Sequence, residues 1–407
     1  MRSSSVPRMW RRMIATVELI GALMIVIYPS AATAGRPSGL RSPQSTTTPS
    51  FGPGQRLVGS EATACGGNCF GGSLAVSGDG STALIAGFIG DDQGLPVGAV
   101  WVFVKSGSSW VQQGGPLSTG GGAPYALALS TNGDVAVISA VTENGDGKAW
   151  VYERKGSNWV RTAALQPKGL VASTRGFGVG VALSSDGAIA LVSSGGYWGG
   201  ALRNGALWTF ERVGSAWKQQ GDAVAPPGAQ RDSLRVAMSG NGRTALLGGS
   251  GRAWLLTRQG VSWHESRQLR GVGTTKYFGF QVALSSDGRT AFVADGDHTA
   301  WIFGRRGGAW YQQIKISRPR AVQFGMGVAL SEDGSVAVIG EDDGGGPGSA
   351  WVFTRRGMVW VRSGVKLSAK RQSLFGNTVA LSGSGETVLV GAPEDGAAGA
   401  AYVFTRN

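Results

Sequence analysis

Cysteine and histidine are almost missing from this chain, with two of each in 407 residues. His264 and His298 lie far apart with no cysteine beside them, which leaves neither a Cys/His zinc site nor a histidine-centred triad in view. No Gly-x-Ser-x-Gly elbow leads into a helix, because no stretch carries a helical pattern. Charged residues are also scarce, at 15%, so Ser, Thr, Gly, Gln and Asn must finish the surface. Acids are the rarer sign, 25 against 38 Lys and Arg, which gives a net charge of +13.

What is abundant is glycine, 69 residues, and tryptophan, 14 residues, a combination that points to many short strands and tight turns. Apolar content of 42% is ample for a core. Residues 1–34 read as an address: Arg8, Arg11 and Arg12, an apolar stretch over 14–28 broken by Glu18, then Ala32-Thr33-Ala34. That pattern is a signal peptide with Gly35 as the expected mature start. The other reading is an uncleaved anchor, although the run falls short of the roughly 20 residues a span needs. Cleavage removes Arg2, Arg8, Arg11, Arg12 and Glu18 and takes the net charge from +13 to +10. Such a balance favours acidic partners, for example an acidic polymer or a membrane surface, with nucleic acid a less natural partner for an exported chain. Residues 35–52, with Pro37, Pro43, Pro49 and a Ser/Thr run, form a flexible linker with nothing apolar to bury. Cys65 and Cys69 bracket three residues, and in an oxidising compartment a local disulfide is the plain expectation.

The rest is one unit written seven times. Val-Ala-Leu-Ser-like runs end at Ser77, Ser130, Ser184, Ser239, Ser285, Ser331 and Ser382, spaced by 53, 54, 55, 46, 46 and 51 residues. Phe-Gly stands seven residues before the serine in five units, beginning at Phe70, Phe177, Phe278, Phe324 and Phe375. Two residues after the serine comes Asp-Gly or Asn-Gly, as in Asp287-Gly288, replaced only in the last unit by Ser384-Gly385. This dipeptide between apolar runs predicts a hairpin, because both residues tolerate positive φ. A third strand places an aromatic at Trp101, Trp150, Trp208, Trp254, Trp301, Trp351 and Tyr402, with a second tryptophan nine residues on in six units. A glycine six residues after the first aromatic predicts the second hairpin.

The seventh unit stops at Asn407 without a fourth strand, while an unmatched run, Gln55-Arg56-Leu57-Val58, precedes the first unit. The economical arrangement has this N-terminal strand complete the last blade, which removes two exposed edges. The expected fold is all-β: one seven-bladed propeller of four-stranded antiparallel blades over residues 53–407.

Phe375-Gly376 with Gly391-Ala392-Pro393 resembles the FG-GAP repeat, found in the head of integrin α-subunits and in many exported bacterial proteins. The likeness extends over about residues 53–407, though only the last unit has the full Gly-Ala-Pro, and it implies a seven-bladed propeller. A weaker likeness exists to propellers with a Ser-x-Asp-Gly signature. Many FG-GAP repeats carry calcium in a loop of alternating Asp and Asn. Calcium takes roughly six to eight oxygens, whereas hairpins such as Ser285-Ser286-Asp287-Gly288 keep one carboxylate and are expected to be turns.

Candidate sites gather in the loops between second and third strands. Asp91, Asp92, Asp295, Asp297, Glu341, Asp342, Asp343, Glu394 and Asp395 lie there, with Glu143 and Asp146. They could form a ligand face or, at Glu341-Asp342-Asp343, one weak calcium site; alternatively they shape turns beside glycine. Tyr197 and Trp198 stand outside the repeat pattern among glycines and suit stacking on a sugar or a partner side chain, or plugging the channel. A cation follows every third-strand aromatic by four residues: Lys105, Arg154, Arg212, Arg258, Arg305, Arg355 and Arg406. Register would set six of these opposite the second tryptophan, with the cation against the indole. Lys155, Arg306 and Arg356 lack such a partner and are the better basic-rim candidates. No catalytic set, resident metal or cofactor is expected. The functional expectation is a monomeric, exported binding scaffold for a surface protein or glycan. The alternatives are a carbohydrate-active enzyme with acids at the channel mouth, or a structural envelope protein.

Overall fold

The computed structural model describes residues 50–407 except 66–68, 92, 121, 143–145, 169–175, 199–200, 204, 230–232, 250, 344–345 and 370–372. The signal peptide and the linker up to residue 49 lie outside the described residues, whereas the expected end of the linker is part of the ring: Phe51 bridges to Arg406 and packs against the core, and Gly52 N donates to the Thr405 carbonyl at 2.9 Å. Among those described, every regular element is a strand and none is a helix long and apolar enough to cross a membrane.

Each repeat unit folds into an antiparallel sheet whose strands follow one another in chain order. Blade five is typical, with strands Gln281–Leu284, Thr290–Ala294, Thr299–Arg306 and Ala309–Ser317. Blade seven takes three strands from the C-terminus, Val379–Leu381, Thr387–Ala392 and Ala400–Thr405. Its fourth is Gln55–Leu57, in register with Gln55 opposite Val403. A two-stranded hairpin, Gly196–Trp198 with Ala201–Arg203, stands apart from the blades in the loop between the second and third strands of blade three.

The second strands read as unbroken apolar runs because both faces of every blade are covered. In blade five, Ala291 and Val293 pack toward blade four, while Phe292 and Ala294 pack toward blade six. The buried core is accordingly divided into seven layers, one per blade interface, and the layer of Leu57, Phe70 and Trp101 with Leu389 and Val403 joins blade one to blade seven.

In the first hairpin glycine alone has positive φ, for example +66° at Gly288, and the Asp or Asn before it does not. The turn is a longer loop held by the repeat serine. Ser285 Oγ donates to Asp287 Oδ1 at 2.6 Å and accepts from Thr290 N at 2.9 Å. Five other units repeat the serine-to-Asp/Asn bond at 2.5–2.8 Å, and all seven serines are buried.

Phe-Gly is the joint between blades. The Phe278 ring lies edge-on to Trp301 and Phe303 of its own blade, with centroids 5.1 and 6.2 Å away. Gly279, at φ +94°, presses its backbone on the preceding blade, where a Cβ would collide with the Arg252 carbonyl.

The residues that follow the repeat serines meet around the axis. Backbone N–H groups donate from blade to blade round the circle: Asp79 to Thr131, Thr131 to Ser185, Ser185 to Gly240, and Gly240 to Ser286. Ser286 then donates to Glu332, Glu332 to Gly383, and Gly383 to Gly78, all at 2.8–3.0 Å. The ring is so narrow that Thr131 Oγ1 of blade two donates to Glu332 Oε1 of blade six at 2.8 Å. A Cβ at Gly78 or Gly383 would strike the same Glu332 carboxylate. The face carrying the hairpin turns is closed by this ring, and the opposite face carries the loops between second and third strands.

Candidate functional site

On the loop face, most of the acids are engaged within their own loops or with the segments beside them. Asp91 Oδ1 accepts from the backbone of Gln93 and Leu95 at 2.9 and 2.7 Å. Asp295 is buried and its Oδ1 accepts three backbone N–H bonds, from Asp297, His298 and Thr299, at 2.8–3.0 Å. One short side chain thereby nucleates a turn, because its oxygens reach N–H groups two to four residues on. Asp297 faces outward beside His298 Nε2 at 3.2 Å.

Blade six holds the densest polar group. Buried Glu341 accepts from Ser349 Oγ at 3.0 Å and from Trp351 Nε1, and it pairs with Arg318 Nη2 at 3.2 Å. Asp342 Oδ2 accepts from Asn377 Nδ2 of blade seven at 3.2 Å, and Asp343 is exposed. In blade seven Glu394 is exposed. Asp395 is buried, accepting from Arg56 Nε at 2.8 Å and Tyr402 Oη at 2.6 Å. Burial, and then the Asp395 carboxylate, raise Tyr402 above the ordinary phenol range. This cluster ties the N-terminal strand into the last blade, a role that neither partner's sequence position reveals. Asp92 and Glu143 lie outside the described residues, and the Asp146 backbone carbonyl accepts from Thr142 N and Oγ1 at 2.9 and 3.2 Å. Among the described residues no three acids, histidines or cysteines converge on a point where a metal ion could sit.

Tyr197 and Trp198 occupy the first arm of the blade-three hairpin, opposite Leu202 and Ala201. Cys65 and Cys69 are joined by a disulfide with Cα atoms 5.4 Å apart.

The repeat cations sit where register was expected to put them: Lys105, Arg154, Arg212, Arg258, Arg305 and Arg355 each face the second tryptophan across the outer hairpin. Ring contact is limited to Arg154 over Trp159 at 5.1 Å and Arg355 over Trp360 at 5.9 Å. Arg258 instead reaches Glu211 of the preceding blade at 2.8 Å, and Arg212 lies 3.8 Å from Glu153 of its own preceding blade. Guanidinium groups here act as struts between blades. Lys155, Arg306 and Arg356 are exposed at the outer turns of the closed face, away from the loop acids; Lys155 Nζ is 3.1 Å from Glu153.

Comparison with known proteins agrees with this geometry. None of the curated proteins matches the chain in sequence. Among solved structures, a chain of the mitotic checkpoint complex superposes at TM-score 0.56 with 13% identity, over 92% of this chain and 99% of that one. The β-propeller domain of Cps50 from Myceliophteria thermophila gives TM-score 0.56 at 11% identity, over 88% and 99%. A Bacteroides uniformis protein assigned as a 6-phosphogluconolactonase gives 0.55 at 13%, over 74% and 85%. At such identities the likeness is one of fold. Residues 369–404 match the FG-GAP repeat family. The chain is thus a seven-bladed β-propeller whose last unit matches the FG-GAP repeat family.

Proposed function

We propose that this protein is a non-catalytic binding scaffold that holds a surface protein or glycan on its loop face. The observation that carries the reading is the blade-three hairpin, Gly196–Trp198 with Ala201–Arg203. It is a sheet outside the blades, among the described residues, and it stands on the loop face. It also carries an aromatic pair, Tyr197-Trp198, that the repeat does not call for. The loop acids support a scaffold rather than an enzyme, because Asp295, Glu341 and Asp395 are buried and spent on holding their loops. A general acid and base must instead face a shared substrate. Residues 1–34 add export to this reading, with the secreted or envelope compartment as the place of action.

The test is a binding screen of the mature protein against glycans and surface proteins, repeated with Tyr197→Ala/Trp198→Ala. Capture that falls at least about tenfold in the variant, with an unchanged melting midpoint, is the expected result. Equal capture by both removes the hairpin from the site, and turnover of a sugar substrate would overturn the scaffold reading.

A further inference from the structure

The positive charge of the chain is concentrated. Residues 251–320 hold eleven Lys and Arg against four Asp and Glu, and they supply the outer half of blade four and all of blade five. On the outer wall, the fourth strands Ser262–Leu269 and Ala309–Ser317 flank a groove of about 120 Å³. Its lining includes Arg267, Gln268, Arg270, Trp310, Tyr311 and Gln312. At the next rim, between blades five and six, three cations converge on one indole. Arg318, Arg362 and Lys366 stand 4.3, 5.1 and 5.6 Å from the Trp351 ring centre.

Packing alone does not require this. Lys366 and Lys315 are the cross-strand partners of Trp351 and Trp301, but the same position opposite Trp254 is Gln268 and opposite Trp150 is Ala164. The repeat position therefore does not demand a cation. Arg318 is neutralised by Glu341 at 3.2 Å. Among the described residues no carboxylate pairs with Arg267, Arg270, Lys315, Arg362 or Lys366. Like charges gathered at two neighbouring rims repel one another until a counter-charge arrives.

We propose that the outer wall of blades four to six is a second binding surface, away from the blade-three hairpin, for a linear acidic polysaccharide. Its carboxylates would seat on the guanidinium groups, which match them in a two-pronged geometry. Gln268, Gln312 and Tyr311 offer the amide and phenol groups that sugar hydroxyls pair with. Tyr311, 36% exposed, and the half-buried Trp310 beside it do not make a row of stacking platforms, so single-stranded nucleic acid fits poorly.

The experiment measures binding of the purified protein to polygalacturonate at low and high salt, beside neutral dextran, duplex DNA and anionic vesicles. Salt-sensitive binding to polygalacturonate and none to dextran is expected. Arg267→Gln/Arg270→Gln and Arg362→Gln/Lys366→Gln should each weaken it about tenfold. Lys168→Gln/Lys218→Gln, the same charge change on another side of the ring, should leave it within about twofold, as should Trp198→Ala on the loop face. Matching melting midpoints establish that the variants fold. The proposal is overturned by no binding to polygalacturonate, by equal losses in the control pair, or by tighter binding of DNA or vesicles.

Discussion

Ser285 illustrates how much of this fold rests on one hydroxyl. Its Oγ is fully buried, donates to Asp287 and accepts from Thr290 N, so removing it leaves buried backbone without a partner. Ser285→Ala should cost about 1–2 kcal/mol, read as a shift in urea midpoint at unchanged slope. Asp333 makes the equivalent bonds to Ser331 and Ser335. Burial alone would raise its carboxyl, but these hydrogen bonds outweigh it and hold the group below the ordinary carboxylate range. A depressed folded value contributes stability that is present above the unfolded value of about 3.9. That stability is lost as pH falls through the lower folded value. Asp333→Asn should therefore lose that contribution at pH 7 while keeping the bond to the serine, which Asn132 and Asn241 also make. It should also soften the loss of stability on acidification; an acid limb identical to the parent's would contradict this. At this scale the sequence showed which serines recur but not what their hydroxyls bind, because the bond is formed across a loop. It likewise marked the loop acids as a group without revealing that Asp295 and Asp395 turn inward.

Hairpins and Phe-Gly joints are the elements from which the ring is assembled. The strand pairs were legible because apolar runs, turn glycines and paired aromatics recur at fixed intervals. Cross-strand placement of the six cations opposite tryptophan was legible for the same reason. What the guanidinium groups do next was not. Arg258 meets Glu211 across a blade interface, and no spacing along the chain encodes which neighbour an outer strand will face. Bulges that offset the fourth strands, as between Ile302 and Phe303, also carried no local signal. The joint itself makes a sharp prediction. Gly279→Ala adds a Cβ at φ +94° against the Arg252 carbonyl, and should cost more than about 2 kcal/mol. Gly94→Ala, whose added Cβ at φ +76° meets nothing, should pay the backbone strain alone and cost less. Equal midpoints in thermal unfolding would contradict the role given to Phe-Gly.

For the whole molecule, period and blade count were readable, whereas the circle of backbone bonds at the axis was not, since it links residues up to about 300 positions apart. The strand Gln55–Leu57 covers the edge of Ala400–Thr405, and Arg56 is fixed to Asp395. A chain beginning at Val58 should expose that edge and self-associate, which sedimentation at rising concentration would show as growth in mass. The axial ring lies on the face of the hairpin turns, opposite the loop face proposed to bind, so frame and proposed site are at different ends of the ring. The measurement that bears most directly on this division replaces residues 196–203 with a short Gly-Asn turn and compares melting midpoint and ligand capture with the parent. The account predicts a midpoint within a few degrees of the parent, because the excised hairpin lies outside all seven blades, together with loss of capture. A collapsed ring, or undiminished capture by an intact one, would contradict it.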